Sequence, residues 1–292
     1  MEHIVTNDEE NLRADKLVRD ICKDIGYTFL QKLFRLGKIK VNGRKISASN
    51  RVHSGDFVEI FANLQKLPRM ESNSQGKMFD QLKSMIIFEN EDFFAINKPT
   101  GLAAQLGTKV SLCVETFIKS YPGCTCHLVH RLDKYTSGVL LVAKNLKSAR
   151  KLTKLFRENG IKKTYLAIVD GKILQSGIMK SYLQKSFVGN EEKMTVSCSG
   201  KMAITFYNPL QLFGDFTLLE LSPSTGRKHQ LRVQCAELLN APIIGDRKYN
   251  RRRQHRNFFL HAHKIFLKDL GIEITAEIPK YFYKMISSSN IC

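Results

Sequence analysis

The sequence predicts an α+β protein, with a mixed, mainly antiparallel central sheet flanked by helices and a small α/β module ahead of it. Three observations carry this. From residue 79 onward, short apolar runs and amphipathic helices intermix without regular βαβ alternation. Residues 12–62 hold two helical patterns and several short strands joined by tight turns, enough for a small independent module of roughly 50 residues. Between them, Pro68, Ser72, Asn73, Ser74 and Gly76 interrupt any periodicity, so 63–78 reads as a linker. The larger domain then runs over 79–285, and 292 residues fit one small and one large domain.

Met1 to Asn11 is acidic and polar, without the basic start or apolar stretch of a signal peptide. Leu12, Leu17, Ile21 and Ile25 recur near helical spacing, and Gly26 is the expected stop. Thr28 is a candidate cap for a second helix with an apolar face of Phe29, Leu33, Phe34 and Leu36, ending at Gly37. Ile39 to Val41 is a short strand, Asn42-Gly43 a hairpin turn, and the return strand passes through Ile46. Ser54-Gly55-Asp56 turns the chain into a last strand, Phe57 to Phe61. Lys32, Arg35, Lys38, Arg44 and Lys45 lie on the second helix and hairpin with few acidic neighbours, which makes them candidate phosphate contacts.

In the larger domain, Ile86 to Phe88 and Phe93 to Ile96 precede Lys98-Pro99. Leu128-Val129 and Val139 to Ala143 read as strands on either side of a polar turn. Lys144 to Asn159 is an amphipathic helix. Leu146, Ala149, Leu152, Leu155 and Phe156 line its inner face, and Lys147, Arg150, Lys151, Lys154 and Arg157 its outer one. Thr164 to Val169 is a strand closed by Asp170-Gly171. Ala203 to Tyr207 and Phe216 to Leu221 are further strands, followed by a helix from Lys228 to Leu239.

The net charge of +19 attracts polyanions, either nucleic acid or an anionic membrane surface. Most of it belongs to the larger domain: residues 76–292 carry 33 basic against 17 acidic side chains, and 1–75 carry 13 against 10. No apolar run reaches the roughly 18 residues of a membrane-spanning helix. Seven irregularly spaced cysteines without a secretory signal fit reduced thiols in a cytoplasm. Cys124, Cys126, His127 and His130 cluster, but Cys-x-Cys-His lacks finger spacing and has no second pair, so no metal is expected.

Two polar clusters can carry chemistry. His130-Arg131-Leu132-Asp133-Lys134-Tyr135-Thr136-Ser137-Gly138 sits between two buried-looking strands, where a loop is held rigidly. Taken alone, Asp133 there reads as a turn former more often than as a catalytic group. Ser224 to Arg232 follows a strand and opens a helix, with Thr225 as a natural N-cap. Arg227 would then lie in the first turn, against the helix dipole, and calls for an anionic partner.

With these residues in place, the chain resembles the RluA-type pseudouridine synthases. His130-Arg131-Leu132-Asp133 with Thr136-Ser137-Gly138 is similar to their signature, and Asn97-Lys98-Pro99-x-Gly101-Leu102 to their first motif. Lys163-x-Tyr165-x-Ala167, Thr225-Gly226-Arg227-x-His229-Gln230-Leu231-Arg232, Gly245-Asp246 with Tyr249, and Leu260-His261-Ala262 follow in family order, so the resemblance spans about 86–282. The N-terminal module resembles the S4-like RNA-binding domain first described in a ribosomal small-subunit protein. Ala103-Ala104-Gln105 is similar to the subgroup acting on large-subunit ribosomal RNA.

The resemblance implies an isomerase that moves the ribose from a base nitrogen to a ring carbon of the same uridine, without a cofactor. It implies that Asp133 is the catalytic carboxylate, as nucleophile or as base toward the sugar. It places Arg227 in a salt bridge with Asp133, Tyr165 under the uracil, and Arg131 at the gap left by the displaced base. Two departures from the pattern are visible: Tyr135 where an acid is common, and Asn250 where glycine is common. Arg251, Arg252, Arg253 and Arg256 follow Asn250 as either an RNA contact or a mobile basic loop. The partner implied is RNA, most simply large-subunit ribosomal RNA, met by a cytoplasmic monomer with no membrane association. The alternatives are a tRNA-directed synthase and a non-catalytic RNA-binding or ribosome-assembly protein.

Overall fold

The computed structural model describes residues 1–22, 25, 27–61, 72–105, 112–189, 191–250 and 252–288. These fall into two compact units, one running from Met1 to Gly76 and the other taking in Lys77–Gln105 and the chain from Leu112 onward.

The first unit contains β1 (Glu2–Ile4), α1 (Ala14–Ile21), α2 (Tyr27–Arg35), β2 (Ile39–Val41), β3 (Arg44–Lys45) and β4 (Phe57–Ile60). Its antiparallel sheet has the order β1-β4-β2-β3. Leu17, Val18, Leu30, Leu33, Phe34, Ile39, Val58 and Ile60 form its core. Asn42 and Gly43 both adopt positive φ, at 50° and 73°, as the predicted hairpin turn requires.

Four expectations are corrected here. The acidic N-terminus supplies an edge strand, with Glu2 opposite Glu59 and Ile4 opposite Phe57; three residues are too few to show a period. The apolar face of α2 is Leu30, Leu33 and Phe34, whereas Leu36 is 59% exposed. Thr28 lies inside that helix rather than capping it, and Gly26 lies outside the described residues. The end of the predicted linker is helical: α3 runs over Ser72–Met85, and Met78 and Leu82 are buried one turn apart. Ser and Asn suit a helix start better than its interior, which hid the element. Residues 63–71 of that segment lie outside the described residues.

The second unit continues with β5 (Ile86–Glu89), β6 (Phe93–Lys98), α4 (Val114–Ile118), β7 (His127–Leu128), β8 (Ser137–Ala143), α5 (Leu146–Arg157) and β9 (Ile161–Asp170). Then come β10 (Gly177–Val188), β11 (Glu191–Ser197), β12 (Lys201–Phe213), β13 (Phe216–Pro223), α6 (Gln230–Glu237), β14 (Leu260–Leu267), β15 (Ile272–Thr275) and α7 (Lys280–Ser288). The 11-stranded sheet has the order β11-β10-β12-β13-β9-β14-β8-β6-β5, with β15 beside β14 and β7 beside β8. Its pairings are antiparallel except β14 with β8, which makes the sheet mixed and mainly antiparallel, as the sequence predicts.

Every residue of β8 is buried, because both faces of the sheet are covered there. Val139, Leu141 and Ala143 pack with Ala149, Leu152 and Leu155 of α5. Leu140 and Val142 pack with Leu82 of α3 and Phe117 of α4. Toward the other end of the sheet, Leu231 and Cys235 of α6 pack on Ala167, Val169, Leu219 and Leu221. Phe282 of α7 covers Leu166 and Ile168 on the opposite face. Gly138 is where β8 meets β14: its φ is +109°, and a Cβ there would collide with the Ala262 carbonyl.

Candidate active site

The turn from His130 to Thr136 lies between β7 and β8 and is fastened from below. Leu132 is buried, and the Thr136 N–H donates to the Asp133 carbonyl at 3.1 Å. Lys98, at the end of β6, is wholly buried and donates to the carbonyls of Pro99 (3.0 Å), Leu102 (2.7 Å) and Lys134 (3.2 Å). One ammonium thus ties the first motif to the Asp133 turn. Burial pulls its pKa down to about 7, against the opposing pull of the Asp133 charge.

The cation against Asp133 is Arg232. Its Nη1 donates to Asp133 Oδ2 at 2.9 Å, while Nε and Nη2 donate to Asp246 Oδ2 (2.7 Å) and Oδ1 (2.8 Å) as a bidentate fork. Asp246 also accepts the N–H groups of Lys248 (2.9 Å) and Tyr249 (3.1 Å), so the fork has a fixed base. Burial alone would lower the guanidinium's pKa, but Asp246 and Asp133 carry it upward and keep it charged.

The Arg227–Asp133 pair expected from the sequence is therefore corrected. Arg227 is exposed and its Nε donates to the Met202 carbonyl at 2.9 Å. The reason is where α6 begins. Thr225 does not cap it; its hydroxyl donates to Gln230 Oε1, and its Oγ1 accepts the Ile204 N–H. Gln230 Oε1 also accepts the Arg227 N–H, holding 225–229 as a loop. The helix starts at Gln230, so Arg232 occupies the first-turn position that calls for an anionic partner, and it meets two carboxylates.

His229 caps α6 in the left-handed region, at φ 53°. Its Nε2 lies 3.7 Å from Asp133 Oδ2, and its Nδ1 lies 2.9 Å from the Tyr249 hydroxyl. That hydroxyl accepts the Met194 N–H at 3.1 Å, leaving its own proton for Nδ1. We therefore assign the hydrogen of the imidazole to Nε2, on the side of Asp133. The spacing is that of an ion pair, but burial outweighs the pull of Asp133 and holds the ring's pKa down to about 4, so the ring is neutral near pH 7.

Tyr165 lies on β9, paired with Leu221 on one side and Ala262 on the other. Burial and the Asp133 charge push its hydroxyl up, so it stays protonated. Asp133, Tyr165, Arg131, Lys163, Arg227 and Arg232 all line one cleft of about 520 Å³. That size suits a nucleotide-sized group. Arg131 is exposed.

The remaining candidate residues are placed as follows. His130 is committed to the fold: Nε2 accepts the Leu141 N–H at 2.8 Å, and the ring lies 4.4 Å from that of Phe156. Cys124 and Cys126 have sulfurs 3.6 Å apart, but no metal-binding group of three or more ligands forms among the described residues. Arg252 donates to the carbonyl (3.2 Å) and side chain (2.6 Å) of Asn240. Arg253 sits between Asp170 (3.4 Å) and Asp215 (3.0 Å). Both are tied to the protein; Arg251 lies outside the described residues. Asn250 is buried, and its Oδ1 accepts the N–H groups of Arg252 and Arg253, a turn that a glycine could not supply. In the first unit Lys32, Arg35, Lys38 and Arg44 are exposed, and Lys45 donates to the Arg35 carbonyl at 2.9 Å.

Sequence reasoning missed the parts played by Lys98, His229, Arg232, Asp246 and Tyr249. Arg232 had a signal: it stands among Leu231, Val233 and Cys235, where an arginine needs a buried partner. Asp246 follows a glycine and reads as a turn residue.

Residues 92–237 match the family described as RNA pseudouridylate synthase. The ribosomal large subunit pseudouridine synthase C of Rickettsia felis is 38% identical over 291 residues, covering 92% of this chain and 94% of the relative. Its namesake in Vibrio vulnificus is 30% identical, covering 97% and 95%. Among solved structures, human RNA pseudouridylate synthase domain containing 4 superposes with a TM-score of 0.62 at 25% identity, over 73% of this chain and 95% of that one. Human RNA pseudouridylate synthase domain containing 1 gives 0.57 at 28% identity, over 66% and 83%.

Proposed function

The chain belongs to the RNA pseudouridylate synthase family, and on that premise we propose that Asp133 is the carboxylate with which it isomerises uridine in large-subunit ribosomal RNA. The reaction breaks the bond from ribose C1′ to N1 of the base and joins C1′ to C5. One proton leaves C5 and one is taken up at N1, so the change is redox-neutral. A carboxylate that attacks C1′ and one that removes a sugar proton both need an ionised oxygen facing the cleft. The observation that carries the reading is the Asp133–Arg232 contact at 2.9 Å inside the cleft that Tyr165 also lines. Arg232 holds Oδ2 and the neutral His229 faces the same oxygen, which leaves Oδ1 for the sugar. Tyr165, protonated and flanked by two strands, serves as the platform on which the displaced base stacks. Arg131 and Arg227 flank the opening of the site as contacts to the strand from which the base is drawn.

The ribosomal substrate is supported by the relatives' names and by their near full-length correspondence. Residues 12–62 act as an S4-like RNA-binding domain, supported by the exposed Lys32, Arg35, Lys38 and Arg44. We further propose that the protein works as a cytoplasmic monomer. The test is tritium release from RNA carrying C5-tritiated uridine. Asp133→Asn should abolish release while keeping fold and RNA affinity; release at the wild-type rate would remove Asp133 from the chemistry. Pseudouridine mapping of ribosomal and transfer RNA from cells lacking the protein tests the substrate.

A further inference from the structure

Helix α5 carries Lys147, Arg150, Lys151, Lys154 and Arg157 and no carboxylate from Leu146 to Arg157. All five are exposed, and the opposite face is fixed in the core by Ala149, Leu152 and Leu155. The stripe is therefore held on a rigid element. From 147 to 157 it runs about 15 Å at the helical rise, long enough to meet several phosphates of one strand. A merely solvated helix face usually interleaves acids one turn away from its lysines. Here the cations stand beside one another, which costs stability unless a polyanion lies on them. Among the described residues, Glu158, just past the helix, reaches only Lys154 at 4.0 Å and Arg157 at 3.5 Å.

The stripe also leads somewhere. Phe156, Arg157 and Asn159 line the cleft that holds Asp133, and so does Lys163 at the start of β9. Lys163 is two residues before Tyr165, on the same face of the strand. Among the described residues no carboxylate lies within ion-pair distance of its ammonium, while burial lowers its pKa. A cation in that position lacks the counterion that burial ordinarily demands. Arg252 and Arg253, by contrast, have intramolecular partners.

We propose that the outer face of α5 and Lys163 form one phosphate track, which leads the RNA strand flanking the target uridine into the cleft. The proposal rests on the RNA-modifying reading above and adds the path of the backbone to it. Lys163 takes the phosphate nearest the base stacked on Tyr165, and Arg157 to Lys147 take those that follow.

The test uses the full-length protein and a transcript of large-subunit ribosomal RNA, with binding measured across a series of salt concentrations. The variant Lys147→Gln/Lys151→Gln/Lys154→Gln keeps good helix formers on an exposed face. Removing one phosphate-binding cation flattens the slope of log affinity against log salt by roughly 0.7–0.9, so removing three should flatten it by about 2–3. Lys163→Met should flatten it by one further step of that size. The control Lys180→Gln/Lys280→Gln/Lys284→Gln removes the same charge from other exposed positions of the same unit and should leave the slope near wild type. Equal slopes in the triple variant and the control would overturn the track, because only the overall field would then matter. If wild-type protein releases no tritium while the slopes still separate, the proposed reaction fails and the track stands.

Discussion

Asp133 and Asp246 share a single guanidinium: Arg232 sends Nη1 to the first and Nε with Nη2 to the second. The second carboxylate fixes the plane of the fork, and the plane fixes where the first carboxylate sits. Asp246 is thus a positioning residue for Asp133, although among the described residues its carboxylate bonds only to Arg232 and to the backbone that follows it.

Asp246→Ala should therefore damage both fold and turnover. It leaves Arg232 buried with one partner out of two, a loss of about 3–5 kcal/mol when a buried ion pair is broken. Urea unfolding measures the first effect and single-turnover tritium release the second. Arg232→Lys, which keeps the charge but not the fork, should retain more stability than Asp246→Ala and still lose most of the rate. Wild-type turnover in Arg232→Lys would show that the fork's geometry is dispensable.

Tyr249→Phe removes the hydroxyl that joins Met194 N–H to His229 Nδ1. With the Met194 amide left partnerless, stability should fall by about 1–3 kcal/mol. The imidazole is then free to move its hydrogen to Nδ1, so kcat should fall with little change in KM. A rise in KM alone would place Tyr249 in RNA binding instead.

Acid should weaken the protein earlier than its carboxylates alone predict. Burial holds His130 down to about 3, and His229 and His261 down to about 4. Each binds a proton more readily in the unfolded chain, near the ordinary value of about 6.5. Their stabilising effect is complete above that value and is lost as pH falls through 6.5 toward 4. Within the window each contributes up to about 1.4 kcal/mol per pH unit. Denaturant midpoints at pH 7 and pH 5 check this, and a flat response would show that these rings are solvated.

Gly138→Ala should destabilise by more than the roughly 1 kcal/mol typical of a point substitution. The added Cβ meets the Ala262 carbonyl, and φ +109° disfavours any side chain. Both strands it would part, β8 and β14, border the Asp133 turn or the Tyr165 strand, so turnover should fall with the melting temperature.

Much of this architecture was legible in the residues. The helix with Leu152 and Leu155 inside, the Asn42-Gly43 hairpin and the apolar strand 139–143 all appear where periodicity and turn chemistry place them. The long strands β10, β11 and β12 were not, apart from 203–207, because their outward side chains include Tyr182, Met202 and Phe206 and blur the alternation. At the site, the need for an anion in the first turn of α6 was legible, but the residue in that turn was not. A left-handed His229 and the Gln230 side chain delay the helix by several residues, and neither is visible as a local preference.

That left-handed residue has a consequence for how the protein can change. Histidine at φ 53° is held against its own backbone preference by about 1 kcal/mol, whereas asparagine tolerates that region more readily. Position 229 therefore sets two local terms against each other. His229→Asn eases the backbone but takes the partner from the Tyr249 hydroxyl, so it should work more slowly with no gain in melting temperature, and selection for heat resistance should pass it over.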